Sequence, residues 1–166
     1  MKRVRRFVLP VGCVAVLLAS CSTIPSEFTK QVDQNLTFAD AKRAPERYRG
    51  KVLLLGGTVS ERTDLPGATK MLIHEHNVDY RYSPNLGGLS EGEFLVVVRP
   101  PVNPAQYPAG KPVTVVGKLT GVEPATGREP LPFFDALYLR SWESSSLSGE
   151  RTYDQPSCQR IIGTSC

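Results

Sequence analysis

The stretch Val52-Leu53-Leu54-Leu55-Gly56-Gly57-Thr58-Val59 decides the fold that this sequence predicts. Its leucines and β-branched residues are typical of a strand, and two glycines lie inside it. Glycine in a strand interior marks a bulge or a sharp bend. Because a long first strand that coils on a glycine lets a small sheet close on itself, the stretch predicts the first strand of a small β-barrel.

Turn-forming residues divide the rest of the chain into further short strands. The 14 glycines and 14 prolines are spaced along the sequence as turn signals. The predicted strands after the first cover residues 69–78, 93–99, 113–121 and 131–142. Alternation places a set of apolar side chains toward the core: Val113, Val115, Leu119, Phe133, Leu137 and Leu139. Trp142 is expected to close the barrel end.

A short helix is predicted before the first strand. Thr37 can cap it, Asp40 lies three residues further on as in a capping box, and Phe38 begins an apolar face. Pro45 limits the helix to about two turns. The sequence therefore predicts a mainly β domain over residues 37–142, an OB-like barrel of five strands in a partly open form, with a short N-terminal helix.

The beginning of the chain has the build of a secretory signal peptide. Four basic residues precede an apolar run that is too short to span a bilayer, and small residues follow the run. Residues 1–20 are therefore predicted to be removed. The pattern Leu18-Ala19-Ser20-Cys21 resembles the bacterial lipobox, which implies cleavage after Ser20 and a diacylglycerol on the Cys21 thiol. The alternative is an ordinary secreted protein whose first mature residue is cysteine.

The lipobox resemblance also implies acylation of the freed amine of Cys21. Several acyl chains on one residue make a durable membrane anchor, at about 0.8 kcal/mol per buried CH₂. Ser22 stands where Asp tends to retain a lipoprotein in the inner membrane, which favours the outer membrane. Residues 21–36 are polar and mixed, with Pro25 breaking any early helix, and are predicted to be a tether that lifts the domain off the membrane.

The charge of the mature chain differs from that of the whole sequence. The sequence has 20 Lys and Arg against 16 Asp and Glu, but four of the basic residues lie in residues 1–20, which contain no acidic residue. Removal of the signal leaves 16 charges of each sign. A neutral chain gives no electrostatic support for binding nucleic acid, so no nucleic-acid partner is predicted.

Two of the four cysteines remain as a candidate pair. Cys13 leaves with the signal and Cys21 takes the lipid, so Cys158 and Cys166 could form a disulfide in the oxidising periplasm. Both lie in residues 143–166, which begin with a Ser-rich tract of low hydrophobicity. This composition predicts a flexible tail.

Two histidines are candidate metal ligands. His74 and His76 are two apart on the second strand, so both project from one face while Glu75 projects from the other. A metal site needs at least a third ligand, and Asp79 adjoins the pair without clear spacing, so no metal or other cofactor is predicted. The pair is interpreted either as two histidines on a solvated face or as an acid sensor that titrates near pH 6.5.

The sequence predicts a protein without enzymatic activity. Neither Cys158 nor Cys166 adjoins a histidine that would activate it as a nucleophile. The alternative is a cluster of Glu75, Asp79 or Glu91 with a histidine in a concave pocket, which would provide acid–base chemistry.

Short segments along the chain follow one another in the order and spacing of a known family. They comprise residues 38–50, Val52, Gly56, Gly57, 92–95, Asn103, Pro104, Tyr107, Gly110, 113–117, 119–121, 137–139 and Trp142. With the lipobox, the set resembles the starvation-inducible outer-membrane lipoprotein (Slp) family over most of residues 13–142. The loop 77–92 matches less closely, and the cysteine-containing tail has no counterpart. The resemblance implies a lipoprotein associated with stationary-phase, starvation or acid stress, and Cys21 is the functional position it carries over.

The sequence, taken with this resemblance, predicts a lipid-anchored outer-membrane protein whose domain faces the periplasm. Its predicted role is that of a binding or structural module. The predicted partners are the membrane, through Cys21, and an envelope protein or a cell-wall component. Two alternatives stay open: a metal- or pH-sensing lipoprotein that uses His74 and His76, and an envelope enzyme.

Overall fold

The computed structural model describes residues 24–124 and 129–143 and the two-residue strand Cys158–Gln159. Within them lie the elements α1 (Ser26–Thr29), α2 (Phe38–Arg43), β1 (Val52–Leu65), β2 (Ala68–His76), β3 (Glu93–Val98), β4 (Pro112–Glu123), β5 (Leu131–Ser141) and β6 (Cys158–Gln159). A 3₁₀ turn over Pro104–Gln106 lies between β3 and β4. The mainly β fold is therefore confirmed.

Strands β1 to β5 form a closed barrel. Strand β1 pairs antiparallel with both β2 and β4, β2 pairs with β3, and β4 pairs with β5. A parallel pairing of β3 with β5, in which Leu95 lies beside Phe133, completes the ring. The predicted OB-like barrel is confirmed, and it is closed rather than partly open because this pairing joins the two strands that would otherwise be edges.

Alternating side chains of the five strands fill the barrel interior. We call this set the interior core; its strand residues are Leu53, Leu55, Val59, Met71, Ile73, Phe94, Val96, Val98, Val113, Val115, Leu119, Phe134, Ala136 and Leu139. Helix α2 covers one end through Phe38, whose ring centroid lies 5.7 Å from that of Phe94. Val102 and Tyr107, from the crossing between β3 and β4, cover the other end.

Helix α2 begins at the predicted capping box. The Thr37 hydroxyl accepts a hydrogen bond from the Asp40 amide at 3.1 Å, and the Asp40 carboxylate accepts one from the Thr37 amide at 3.3 Å. These bonds satisfy two backbone donors that the helix itself leaves unpaired. The helix ends at Arg43, two residues before Pro45, so its predicted shortness is confirmed.

The glycines of β1 allow a close approach of the neighbouring chain. A Cβ at Gly56 would lie 2.6 Å from Val78 Cγ1 and 2.7 Å from the carbonyl oxygen of His76. The irregular pairing of β1 with β2 falls further along the strand, between Val59 and Glu61. The glycines therefore do not mark a bulge, and the alternative of a sharp bend stays a prediction. Gly56 leaves room for Val78, which follows β2, and Gly57 leaves room for the backbone of β2 at His74.

A β-bulge in β5 changes which side chains face the core. Tyr138 pairs with Val116, whereas Ala136 pairs with the next residue, Gly117, so Leu137 is an extra residue in the strand. The strict alternation that the sequence suggests therefore fails across Leu137.

This bulge makes part of the predicted core wrong. The predicted residues that do face the interior are Val113, Val115, Leu119 and Leu139. Phe134 does so in place of Phe133, and Leu137 packs outside the barrel. Trp142 does not close the barrel end, because its Nε1 atom donates a hydrogen bond at 2.9 Å to the Thr114 hydroxyl on the outer face.

The segment before α2 packs against the barrel from Ile24 onward. Ile24 and Phe28 are buried, and the Asp33 amide donates a hydrogen bond at 2.9 Å to the carbonyl oxygen of Val52. This differs from the tether predicted over residues 21–36. Phe28 lies in the single turn α1, and Ile24 precedes it, separated by the N-cap residue Pro25, whose backbone is extended; both side chains are buried against the sheet.

Part of the predicted tail, residues 143–166, is also placed on the barrel. Strand β6 pairs antiparallel with β5, with Cys158 beside Arg140. The rest of this segment after Glu143, including Cys166, lies outside the described residues. The flexibility of the tail and the disulfide between Cys158 and Cys166 stay predictions.

Candidate functional site

The two histidines lie side by side on the outer face of β2. The ring centroids of His74 and His76 are 5.2 Å apart, with their planes at 72°. Among the residues that the structure describes, no group of three or more His, Cys, Asp or Glu side chains could hold a metal ion. The pair therefore supplies two of the ligands that a metal site requires.

His76 is partly shielded from solvent. Its Nδ1 atom is buried and has no hydrogen-bond partner within the described part of the chain. Burial, and to a lesser degree the neighbouring His74, lowers the pKa of His76 below its ordinary value of 6.5. Because the folded state favours neutral His76, protonation of this ring opposes folding as the pH falls below 6.5.

Glu75 projects from the opposite face of β2, the face that carries Ile73 of the interior core. Its side chain is buried, and its Oε2 atom accepts a hydrogen bond at 2.9 Å from the Glu91 amide. Burial is the largest cause of a raised pKa at Glu75, and the charge of Glu91 adds to it, whereas the hydrogen bond and His74 act in the opposite direction. A buried carboxyl with a raised pKa is typical of a catalytic acid or base. Here the hydrogen bond from the Glu91 amide also fixes the loop that leads into β3.

Asp79 organises a turn. Its Oδ1 atom accepts hydrogen bonds from the amides of Arg81, at 2.8 Å, and Ser83, at 2.9 Å. Such local bonds from an aspartate stabilise a tight turn of the backbone. The carboxylate therefore holds the start of the loop after β2.

A cleft of about 470 Å³ opens beside α2. Its lining residues are Ala39, Lys42, Arg43, Glu91 and Glu129. Lys42 Nζ donates a hydrogen bond at 3.0 Å to the carbonyl oxygen of Glu91, which ties α2 to the loop before β3. Two cationic and two anionic side chains suit the cleft to a polar ligand. Among the residues proposed for acid–base chemistry, Glu75 projects from the inner face of β2 and the histidines from its outer face, whereas Asp79 and Glu91 lie in the loop that follows.

Sequence reasoning missed one motif that carries a serine at the position of a nucleophile, Ser90. The stretch Gly88-Leu89-Ser90-Glu91-Gly92 has the Gly-X-Ser-X-Gly spacing of hydrolase nucleophile elbows. Such an elbow needs a strand before the serine and a helix after it, whereas this stretch is a loop that leads into strand β3. The Ser90 hydroxyl exchanges hydrogen bonds with the backbone of Gly92, at 3.1 and 3.3 Å, and so shapes the loop.

A second apolar cluster covers the outer face of β1, β4 and β5, and we call it the outer-face cluster. Its buried members are Ile24, Phe28, Val116 and Tyr138, with Val32, Val52, Leu54, Tyr82 and Leu137 packed around them. The ring centroids of Phe28 and Tyr138 are 5.2 Å apart. Ile24 is only 2% exposed and Phe28 only 5%, so the chain entering the domain is part of its packed structure.

The loop between β2 and β3, residues 77–92, is fastened to the same face through Tyr82. The Thr114 hydroxyl donates a hydrogen bond to the Tyr82 carbonyl oxygen and accepts one from Trp142 Nε1. Tyr82 has a φ of 65°, in the left-handed region that non-glycine residues rarely adopt. Its ring and its carbonyl oxygen are both held against the sheet, which stabilises this conformation.

The same loop carries the most exposed large apolar side chains of the described residues. Tyr80 is 84% exposed, Leu86 50% and Leu89 88%, and we call these three residues the loop rim. The Arg81 guanidinium lies 5.3 Å from the centroid of the Tyr80 ring. Residues 80–90 contain no Asp or Glu. Asp79 and Glu91 lie on either side of this stretch, so the loop rim is an apolar surface in a loop without net positive charge.

The outer-face cluster was not predicted from the sequence. Ile24, Phe28 and Val32 stand four residues apart in a segment that is otherwise mostly polar, and this recurrence is the signal that could have found them, although only Phe28 lies in a helix. No comparable signal connects Tyr82 to the sheet, because the two meet only in the folded chain.

The predicted lipid site, Cys21, lies outside the described residues, so its lipidation stays a prediction. No helix among residues 24–124 and 129–143 is long and apolar enough to cross a membrane.

Comparison with known proteins gives a match to a family model. The model described as the outer membrane lipoprotein Slp family matches residues 18–158. The match begins at the first residue of the lipobox and extends through the barrel into β6. No curated protein and no solved structure matches.

Proposed function

This chain belongs to the Slp family of outer membrane lipoproteins, and on that premise we propose that its barrel is a non-enzymatic binding or structural module of the cell envelope. The module is held at the periplasmic side of the outer membrane by lipid on Cys21. It acts when the cell meets starvation or acid stress, as its resemblance to starvation-inducible lipoproteins implies.

One observation carries this proposal: the chain is packed on the barrel almost from the point at which the lipobox ends. Ile24, three residues after Cys21, is buried in the outer-face cluster. A lipid on Cys21 would therefore be joined to the folded domain by a very short segment. This arrangement favours a domain that works at the membrane surface.

The cleft beside α2 supports a binding role. The cleft beside α2 has charged side chains of both signs, and Lys42 and Glu75 both fix the loop segment at Glu91 that forms one wall. Burial favours the neutral form of Glu75, so acid removes the cost of keeping a charge at this wall. The wall is therefore suited to keep its structure in an acidified periplasm.

The anchor is tested by changing Cys21→Ser in the full-length protein. We expect the variant to lose its acyl chains, measured by mass spectrometry of the N-terminal peptide, and to leave the outer-membrane fraction. Cys158→Ser is the matched control and should stay acylated and membrane-bound. Continued sedimentation of the Cys21→Ser protein with outer membranes would contradict the proposed anchor.

The binding role is tested in cells under acid and starvation. We expect deletion to reduce survival, the unsubstituted protein to restore it, and Arg43→Glu, which reverses a charge in the cleft, to restore it poorly. Lys30→Glu changes an exposed cation away from the cleft lining and is the matched control. Unchanged survival after deletion, together with no cross-linked envelope partner, would remove this part of the proposal.

A second candidate function is acid or metal sensing by His74 and His76. The observation that favours it is the pairing of the two rings with the buried, unpartnered Nδ1 atom of His76. The test replaces both histidines by alanine and measures zinc and copper binding by calorimetry. If the isotherm of the double variant equals that of the unsubstituted protein, metal sensing through this pair is wrong.

A further inference from the structure

We propose that the loop rim, Tyr80, Leu86 and Leu89, rests in the lipid headgroup region of the same membrane leaflet that holds the lipid on Cys21. This inference rests on the proposed lipidation of Cys21 and adds a second membrane contact made by the barrel itself. The occupant of the rim is a lipid surface.

The contact requires the barrel to lie close to the membrane, and the length of chain between the anchor and the barrel limits that distance. Three residues lead from Cys21 to Ile24, and even a fully extended chain of that length spans only about 11 Å. The headgroup layer on each side of a bilayer is roughly 5–7 Å thick. The outer-face cluster, which buries Ile24, therefore lies close to the headgroups, whereas a free tether over residues 22–36 would reach about 50 Å.

The contact also requires the loop rim to lie on the side of the barrel that faces the membrane. Tyr82 packs in the same outer-face cluster as Ile24, so the first half of the loop 77–92 is fixed on the face where the chain enters the domain, while Glu91 at its far end is held by Glu75 and Lys42. Tyr80 is two residues from Tyr82, at the tip of the turn that Asp79 holds. The face brought near the membrane by the anchor is thus the face that carries the first half of this loop, and Leu86 and Leu89 follow it in the chain.

The chemistry of the rim fits a lipid interface. Its leucines present apolar side chains to solvent, and a tyrosine has an apolar ring with a polar end, which is the combination enriched where membrane meets water. Arg81 adds a cation next to the tyrosine, whereas the Asp79 carboxylate accepts hydrogen bonds from backbone amides of its own turn, so the contact with lipid rests on the apolar side chains. The exposed apolar side chains of the loop rim are therefore explained by the lipid surface that the anchor on Cys21 holds beside them.

Depth-dependent fluorescence quenching tests this contact. Leu89→Trp is made in the full-length protein, which is isolated with its lipid and reconstituted in vesicles of phosphatidylethanolamine and phosphatidylglycerol with spin-labelled lipids. The unsubstituted chain, which has one tryptophan, gives the background. Leu65→Trp is the matched control, because Leu65 is an exposed leucine at the opposite end of β2, at the tip of the β1–β2 hairpin.

We expect spin labels near the headgroups to quench the tryptophan at position 89 at least twofold more than the one at position 65. Leu86→Trp, at a second exposed rim position, should give the same result if Leu89→Trp fails to fold. The opposite outcome is equal quenching at the rim and at position 65 in protein whose Cys21 acylation is confirmed by mass spectrometry. That result overturns this inference alone, and it is the result expected where a protein partner covers the rim. Unmodified Cys21 in membrane-derived protein overturns the proposed anchor and this inference with it.

Discussion

The molecule has two apolar regions that are built in different ways, the interior core and the outer-face cluster. The interior core consists mainly of alternating residues on neighbouring strands, which bury one side of each strand. The outer-face cluster combines strand residues with the entry segment and with a residue of the loop 77–92. The first region makes the barrel, and the second attaches to it the parts of the chain that we assign to the membrane.

This difference has an energetic consequence. A side chain of the interior core can leave its site only if the barrel opens, whereas the entry segment can leave the outer face while the barrel stays closed. Substitutions in the interior core should therefore lower the free energy of global unfolding more than equivalent substitutions in the outer-face cluster. The following predictions test that difference in order of expected effect.

The largest effect is expected for Phe94→Ala in the interior core. The ring of Phe94 lies 5.7 Å from that of Phe38 and 5.6 Å from that of Phe134, between α2 and the sheet. Its removal should lower the free energy of unfolding by about 3–5 kcal/mol, measured by urea denaturation. A loss below that of Phe28→Ala would contradict the proposed difference between the two regions.

A smaller loss is expected for Phe28→Ala in the outer-face cluster. The substitution removes the packing of Phe28 on Tyr138 and should cost about 2–3 kcal/mol, because the entry segment can detach before the barrel unfolds. Tyr80→Ala removes an aromatic ring that is almost fully exposed and is the matched control, with a change within about 0.5 kcal/mol. An unfolding free energy unchanged by Phe28→Ala would show that the entry segment contributes nothing to stability.

Gly56→Ala tests the contact between the sheet and the loop 77–92. The added methyl group would meet Val78 and the His76 carbonyl oxygen, so we expect a loss of about 1–2 kcal/mol in thermal or urea unfolding. Gly87→Ala is the control, since the nearest atom to its Cβ is 3.8 Å away on Asn85. Equal stability of the two variants would mean that the loop does not need its close approach to β1.

The smallest effect, and one that depends on pH, is expected for Glu75→Gln. Folding raises the pKa of Glu75 above its ordinary value of 4.5. The free energy of unfolding therefore falls as the pH rises from 4.5 through the higher pKa of the folded state. The glutamine variant lacks this loss and can still accept the bond from the Glu91 amide. Its melting temperature should exceed that of the unsubstituted protein near neutral pH, with the gap closing toward pH 4.5; a gap that does not change with pH would refute the assignment.

The interior core could largely be predicted because its signals are local. The alternation of Val113 and Val115 and the capping box of Thr37 and Asp40 depend on neighbours in sequence, and both are found in the structure. The assignment failed at Leu137, where one extra residue reverses the alternation in a way that composition does not reveal.

The outer-face cluster could not be predicted to the same extent because its contacts are distant in sequence. Ile24 and Phe28 look like isolated apolar residues in a tether until the surface formed by Val116 and Tyr138 is known. Gly56 shows the same limit, since its lack of a side chain is explained by a loop that returns from beyond β2. The candidate membrane face is therefore a property of the folded chain.

Hydrogen exchange at the Asp33 amide tests most directly whether the barrel is held close to its anchor. This amide donates to the Val52 carbonyl oxygen and lies in the segment that the sequence alone assigns to a free tether. In the lipidated full-length protein, we predict that it exchanges far more slowly than an unstructured amide, as expected for a docked segment. Exchange at the rate of an unstructured peptide would contradict the account, because the entry segment would then be a tether and the barrel free to stand away from the membrane.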